Sequence, residues 1–409
     1  MQLIRPFRGV RPNQNKAGEI LGPPYDTLSV DEARSRSAGK PNSFLHVSRA
    51  EIDLPLDINV YSPQVYAKAR ENYDRLKADE LLIRDDQPCY YLYRQVMGSH
   101  SQTGLVAVAS VAAYDEGRVK KHEHTQPKKE TDRVNQIVAL EAQTGPVLHA
   151  FRHDPAISKL LEPTTDPVSD VVTDDDVRHT LWLVDDPTKI KAITEAFNNL
   201  EAIYIADGHH RSAAASRVAK QFREERNHRE DHDSQYFLSV IFPDHELQIL
   251  DYNRLILDLN DHSTDEFHAL LENSFSIEPS SGPVAPQTRG EFGMYMEGTW
   301  SKLTLKPALM PTDILERLDV NILENLVLRP VLGIEDQRTN PRIDFVGGIR
   351  GLKELQDRVD RGDAVLAFSF FATSAEDLFA VADAGEVMPT KSTWFEPKLA
   401  DGMVSHEIG

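Results

Sequence analysis

The spacing of apolar residues along the chain alternates between a helical and an extended rhythm. Between positions 61 and 78, Val65, Ala69, Tyr73 and Leu76 recur at three- and four-residue intervals, which predicts a helix with one buried face. Two apolar runs, 90–96 and 105–114, read as strands split by a turn around Gly98 to Gly104. A polar stretch follows and leads into a helix from about 128 to 143. Residues 152–178 are acidic and contain prolines, with Asp174-Asp175-Asp176 marking a solvated loop. Beyond them the pattern gives a strand at 179–184, a helix opened by Pro187, a short strand at 202–206 and an Ala-rich helix. The remainder reads as strands at 237–242 and 247–251, a hairpin near 293–305, helices at 312–329, 350–361 and 374–384, and a strand at 364–371. Near the start, Ser29 followed three positions on by Glu32 has capping-box spacing. No repeat is visible, and the mixture predicts an α+β fold rather than regular βαβ winding.

Length and charge narrow the function. The 409 residues suffice for two to three domains. Asp plus Glu outnumber Lys plus Arg by 65 to 45, a net charge of −20. A field of that sign repels phosphate backbones and anionic lipid, so nucleic acid is an unfavoured partner and a membrane is not expected. The single cysteine, Cys89, allows neither an internal disulfide nor a multi-thiolate metal site. Neither a signal-peptide core nor a spanning-length apolar window is visible, which leads to the expectation of a soluble cytoplasmic protein.

Three segments carry candidate chemistry. In Asp207-Gly208-His209-His210-Arg211-Ser212 a strand stops at an Asp-Gly turn and opens a helix, whose N-terminal N–H groups favour an anion. Gly208 allows close backbone approach, and Arg211 offers a planar fork to phosphate oxygens. Asp207 is placed to coordinate Mg²⁺. Alternatively Asp207, His209 and His210 are ligands of a transition metal in a metal-dependent hydrolase, although consecutive histidines on a helix start diverge. The second segment is His122-Glu123-His124, flanked by Lys120, Lys121, Lys128 and Lys129, a local positive field in an acidic chain. The third is a rigid polar stretch between prolines holding Lys391, Ser392 and Thr393, in which Lys391 is a candidate phosphate contact.

Several stretches, RPFRGVRP, PPYDTLS, SFLHVSRAEIDLP, KKHEHTQPKKETDRV, IADGHHRSAAA and MPTKSTWFEPK, together resemble a bacterial and archaeal group of formerly uncharacterised proteins related to free serine kinases. The resemblance runs over nearly the whole chain. It implies a nucleotide-binding core like that of ParB and sulfiredoxin, expected at 115–235, with α+β regions at 1–114 and 236–409 packed around it. It further implies a phosphotransferase that takes free L-serine, or a similar small hydroxylated metabolite, to its phosphate with ADP or ATP, or runs the reverse. Asp207, Gly208, His209, His210, Arg211 and Ser212 would then contact nucleotide phosphates, and Glu123 would be the catalytic carboxylate, with His122 and His124 as alternative bases. A homodimer is compatible with this reading. The competing class is a ParB-like nucleotide-binding regulator or DNA-binding protein, against which the net charge stands.

Overall fold

The computed structural model describes residues 2–409 and divides them into two compact units. The first comprises residues up to Lys121, Thr125–Leu247 and Pro397–Gly409; the second comprises His122–His124 and Gln248–Glu396. The fold is α+β in both. This division differs from the three consecutive regions expected from the sequence. Strands from 1–114 and from 115–235 share one sheet, and the last thirteen residues belong with them rather than with the region that precedes them.

The nine-stranded sheet of the first unit is built from β1 (Ile4–Arg5), β2 (Tyr90–Met97), β3 (His100–Ser110), β4 (Val119–Lys120), β5 (Val147–Phe151), β6 (Ser169–Val172), β7 (Val177–Val184), β8 (Ile203–Asp207) and β9 (Tyr236–Pro243). Their order is β4-β8-β5-β9-β3-β2-β7-β6, with β1 paired to β3. Pairing is antiparallel except β4 with β8 and β5 with β9. Its helices include α1 (Pro63–Ala78), α2 (Pro127–Leu140), α3 (Pro187–Asn198) and α4 (His209–Arg226). In α1 the stripe Val65, Ala69, Tyr73, Leu76 is buried, as its spacing predicts. Two expected boundaries move for capping reasons. The strand begun at Leu105 ends at Ser110, whose side chain accepts from the Ala113 N–H and starts a short helix, Val111–Asp115. Within the acidic stretch 152–178, Asp174–Asp176 is a turn, as expected, and the rest holds a short helix and a strand. Asp154 caps a helix at Pro155–Leu160 with proline at its first position, and β6 pairs with β7 at the sheet edge.

The C-terminal thirteen residues thread across this unit. Asp401 exchanges backbone hydrogen bonds with Gly22, Ser405 with Val10, and His406–Glu407 pairs with Ala142–Gln143. Met403, Val404 and Ile408 are buried, so the tail is a layer of the core.

The second unit is a six-stranded antiparallel sheet of β10 (Tyr252–Ile256), β11 (Phe275–Ser280), β12 (Glu291–Met296), β13 (Thr299–Leu305), β14 (Ile343–Gly347) and β15 (Leu366–Phe370), in the order β11-β13-β12-β15-β10-β14. Its helices include α5 (Gly351–Asp360) and α6 (Ala375–Asp383). The helix expected over 312–329 shrinks to Asp319–Leu323 followed by a π-helical turn, Glu324–Leu328. Asp313 accepts from the N–H groups of Leu315 and Glu316 and starts a turn, but Leu318 is extended, at ψ 135°, and interrupts it before Asp319. Among the described residues no helix is long and apolar enough to cross a membrane.

Candidate functional site

The Asp207 turn is set by a bulge. β8 pairs regularly with β5 through Ile205 opposite His149, then slips so that Asp207 faces Leu148. A bulge of this kind re-aims the side chain that follows it. Gly208 then adopts φ +111°, and a Cβ there would lie 3.1 Å from Arg211 Nε and 3.2 Å from Val147 Cγ1, so backbone conformation and space both call for glycine. Gly208 provides no capping side chain, which leaves the first-turn N–H groups of α4 without one.

Asp207 meets two cations. Lys398 Nζ donates to its Oδ2 at 3.3 Å, and Arg211 Nη2 lies 3.6 Å from its Oδ1. Burial opposes ionisation of Asp207, but Lys398 and Arg211 outweigh it and hold the carboxyl below the ordinary range. Arg211 also donates through Nη1 to the Pro146 carbonyl. Ser212 is fully buried with its hydroxyl on the Gly208 carbonyl, so it braces the turn from inside. His209 is buried; His210 Nε2 accepts from the Gln126 N–H at 2.9 Å, which takes up one of its two ring nitrogens. Among the described residues no three His, Cys, Asp or Glu side chains gather as metal ligands. The residues therefore do not fit a protein-held metal ion at Asp207, His209 and His210.

Beside the turn lies a partly open cavity of about 30 Å³. Its charged walls are Arg211, Arg133 and Asp401, its polar ones include Tyr25, Ser48, Thr144, Gln136 and Gln143, and Gly145 closes one side. Arg133, from α2, is held by Asp132 through Nε at 3.0 Å and Nη2 at 2.5 Å, and its guanidinium stacks 3.8 Å from the Tyr25 ring centre. Asp132 is itself fixed by the Tyr66 hydroxyl at 2.8 Å. Arg49 holds the Tyr25 loop by donating to the carbonyls of Tyr25 and Leu28 while bonding Glu51. The quoted stretches PPYDTLS and SFLHVSRAEIDLP thus build one wall together, with Ile52, Glu51 and Leu54 carbonyls clamped by Arg34. Asp401 is 2% exposed, and its Oδ1 has no hydrogen-bond partner. Burial raises its carboxyl to about 7 against the opposing pull of Arg211.

The other sequence candidates fall in the second unit. His122 is buried, Glu123 half-buried and His124 exposed. The His122 carbonyl accepts from the Met388 N–H at 2.8 Å, which joins this segment to the stretch carrying Lys391. Lys391 is exposed at φ +62° with its Nζ 5.2 Å from the Tyr252 ring centre; Ser392 is buried with its hydroxyl on the Pro389 carbonyl; Thr393 is half-buried. Sequence reasoning assigned no role to Tyr25, Arg133, Lys398 or Asp401. The first three sit inside the quoted stretches, which was the available signal; Asp401 lies just beyond the last of them.

An α+β fold with a bulged Asp-Gly turn beside a doubly cationic cavity defines a candidate small-ligand site. The chain belongs to the family described as protein of unknown function (DUF1015), whose model matches residues 4–321. No curated protein matches it. Similar solved structures include a mutant free serine kinase in complex with AMP, at 14% identity and TM-score 0.35, covering 71% of this chain and 86% of that one. A conserved hypothetical protein from Pyrococcus furiosus is similar at 14% identity and TM-score 0.33, covering 72% and 93%. C-terminally truncated SbnI from Staphylococcus aureus is similar at 9% identity and TM-score 0.39, covering 72% and 85%. Likenesses this remote leave the function of this chain to its own residues.

Proposed function

We propose that the chain is a nucleotide-dependent phosphotransferase acting on a small hydroxylated metabolite, free L-serine being the first candidate, with ADP or ATP as the nucleotide. The observation that carries this reading is the bulged Asp207 turn, where an uncapped helix start, Arg211 and Lys398 supply positive charge at one point. Phosphoryl transfer asks a protein mainly for positioning and charge neutralisation, and these groups are suited to both. The resemblance of the quoted stretches to relatives of free serine kinases supports serine as acceptor. Asp207 is engaged by two cations, so in this reading Mg²⁺ enters with the nucleotide phosphates rather than on a preformed protein site. When bound there, it would neutralise developing phosphate charge.

Incubating the protein with L-serine, Mg²⁺ and either ADP or ATP, and separately with O-phosphoserine and each nucleotide, should yield phosphoserine or consume it, as read by mass spectrometry. No turnover in either direction with either nucleotide would overturn the reading. Glu123 is the proposed base, since a positioned carboxylate that accepts the hydroxyl proton typically contributes about 10²–10⁴-fold. Glu123→Gln should lower turnover by that order and leave nucleotide affinity unchanged. Near-normal turnover of Glu123→Gln together with a dead His122 or His124 variant would move the role to a histidine.

A further inference from the structure

Asp401 is a carboxyl sealed inside the first unit with one oxygen that nothing donates to. Leaving a buried acceptor unpaired is costly, so such atoms call for an explanation. Its backbone is fixed at both ends of the residue by the exchange with Gly22, so the side chain is aimed by the fold. A Cβ added to Gly145 would lie 3.4 Å from Asp401 Oδ1 and 3.5 Å from Arg211 Cδ, which puts the open oxygen and Arg211 on the same small space. That space is small and partly open, so a head group can enter it while the rest of a ligand stays outside. A free cation there would face Arg211 and Arg133, and a free anion would face Asp401. A head group carrying both charges satisfies all three.

We propose that this cavity holds the zwitterionic head of a small α-amino acid, its ammonium on Asp401 and its carboxylate toward Arg211 and Arg133. This rests on the phosphotransferase reading for its choice of serine as probe, but the site stands or falls by binding rather than turnover. The groups facing Asp401 are Arg211 from α4, Arg133 from α2, and Asp26 and the Ser48 hydroxyl from the N-terminal segments. Between them they leave the carboxyl half-protonated near neutral pH. An arriving ammonium needs the carboxylate, so binding should release about half a proton per site at pH 7, and far less at pH 8.

The test is calorimetry with the full-length protein and three probes: L-serine, 3-hydroxypropanoate, which lacks the amine, and ethanolamine, which lacks the carboxylate. Serine should bind at least about tenfold more tightly than either, and its heat at pH 7 should change with the buffer's ionisation enthalpy as proton release requires. Asp401→Asn, nearly isosteric, should weaken serine about tenfold or more and leave 3-hydroxypropanoate unchanged. Gly145→Ala should weaken serine by placing a methyl in the space. Equal binding of serine and 3-hydroxypropanoate to wild type, or no proton release on serine binding, would overturn the proposal, and neither measurement depends on a variant folding. Serine binding of the expected kind without phosphoserine formation would instead leave this site intact and remove the phosphotransferase reading. Phosphoserine formation with equal serine affinity in wild type and Asp401→Asn would do the reverse.

Discussion

Each unit buries a carboxyl that burial pushes to about 7, Asp401 in the first and Asp319 in the second. Their side chains are similarly enclosed, at 2% and 8% exposure. They differ in what meets them. Asp319 Oδ1 accepts from the Gly290 N–H at 2.8 Å, where it fastens the helix Asp319–Leu323 to the loop before β12. Asp401 Oδ1 accepts from nothing and looks into a cavity with two guanidiniums. A perturbed carboxyl is thus no site by itself; the unfilled hydrogen-bonding capacity beside a space is what separates the two. Arg254 makes the same point with the opposite charge. It is fully buried on β10, yet its Nε donates to Gln337 at 2.9 Å, its Nη1 to the Tyr252 carbonyl at 2.6 Å, and its guanidinium lies between the Phe345 and Phe370 rings. Asp319 and Arg254 have direct hydrogen-bond partners, and the open oxygen of Asp401 does not.

The largest effect that should follow is on Arg254. Arg254→Met keeps the apolar stem of the side chain but removes the guanidinium and strands the Gln337 amide and the Tyr252 carbonyl, each costing about 1–3 kcal/mol when buried unpaired. Urea unfolding of the second unit should therefore shift by about 3 kcal/mol, with serine affinity in the first unit unchanged. Loss of serine binding in a variant whose first unit remains folded would break the distinction between satisfied and open charges.

A smaller effect separates the two carboxyls by pH. A carboxyl whose pKa rises on folding from 3.8 to about 7 binds its proton more tightly in the folded state. Its contribution is complete below pH 4, declines as pH climbs toward 7, and is flat above. Asp319→Asn keeps the acceptor for Gly290 and removes this decline. Relative to wild type it should gain about 1–3 kcal/mol in going from pH 4 to pH 8, a discounted fraction of the 1.36 kcal/mol per pKa unit that linkage allows. It should not alter proton release on serine binding, whereas Asp401→Asn should abolish that release. A pH-independent difference between Asp319→Asn and wild type would show that Asp319 titrates as it does in the unfolded chain.

Local rules made much of this legible. The stripe of α1, the Ser29–Glu32 capping box, the strand–turn–helix at Asp207 and the hairpin β12–β13 are each written in a few neighbouring residues, and each forms. What the sequence hid is non-local. Nothing near 397–409 says that the tail returns to pair with Val10, Gly22 and Ala142–Gln143, and that return is what buries Asp401. The bulge at Asp207 arises from pairing with β5, some sixty residues earlier in the chain, and so does the aim of its side chain. Arg133 belongs to a run of charged residues on α2 with nothing local to set its direction; Tyr25 stacking and Asp132 turn it toward the cavity. The helix expected at 312–329 is interrupted at Leu318, which is extended between the turn capped by Asp313 and the helix Asp319–Leu323.

The smallest effect concerns the one candidate charge of the second unit that stays in solvent, Lys391. It sits in left-handed backbone at φ +62°, and its ammonium lies 5.2 Å from the Tyr252 ring centre, where an exposed cation–π contact is worth about 0.5–1 kcal/mol at most. Lys391→Ala keeps the left-handed strain and loses that contact, so thermal stability should fall by no more than about 0.5–1 kcal/mol. If Lys391 contacts phosphate, as its setting among hydroxyls in an acidic chain suggests, nucleotide or phosphoserine affinity should drop several-fold. The drop should narrow as salt rises, because an exposed charge is screened within about 10 Å at 0.1 M ionic strength. Lys391→Arg, which keeps the charge on a longer fork, should recover most of the affinity. Identical affinities for wild type and Lys391→Ala at low salt would remove Lys391 from the site.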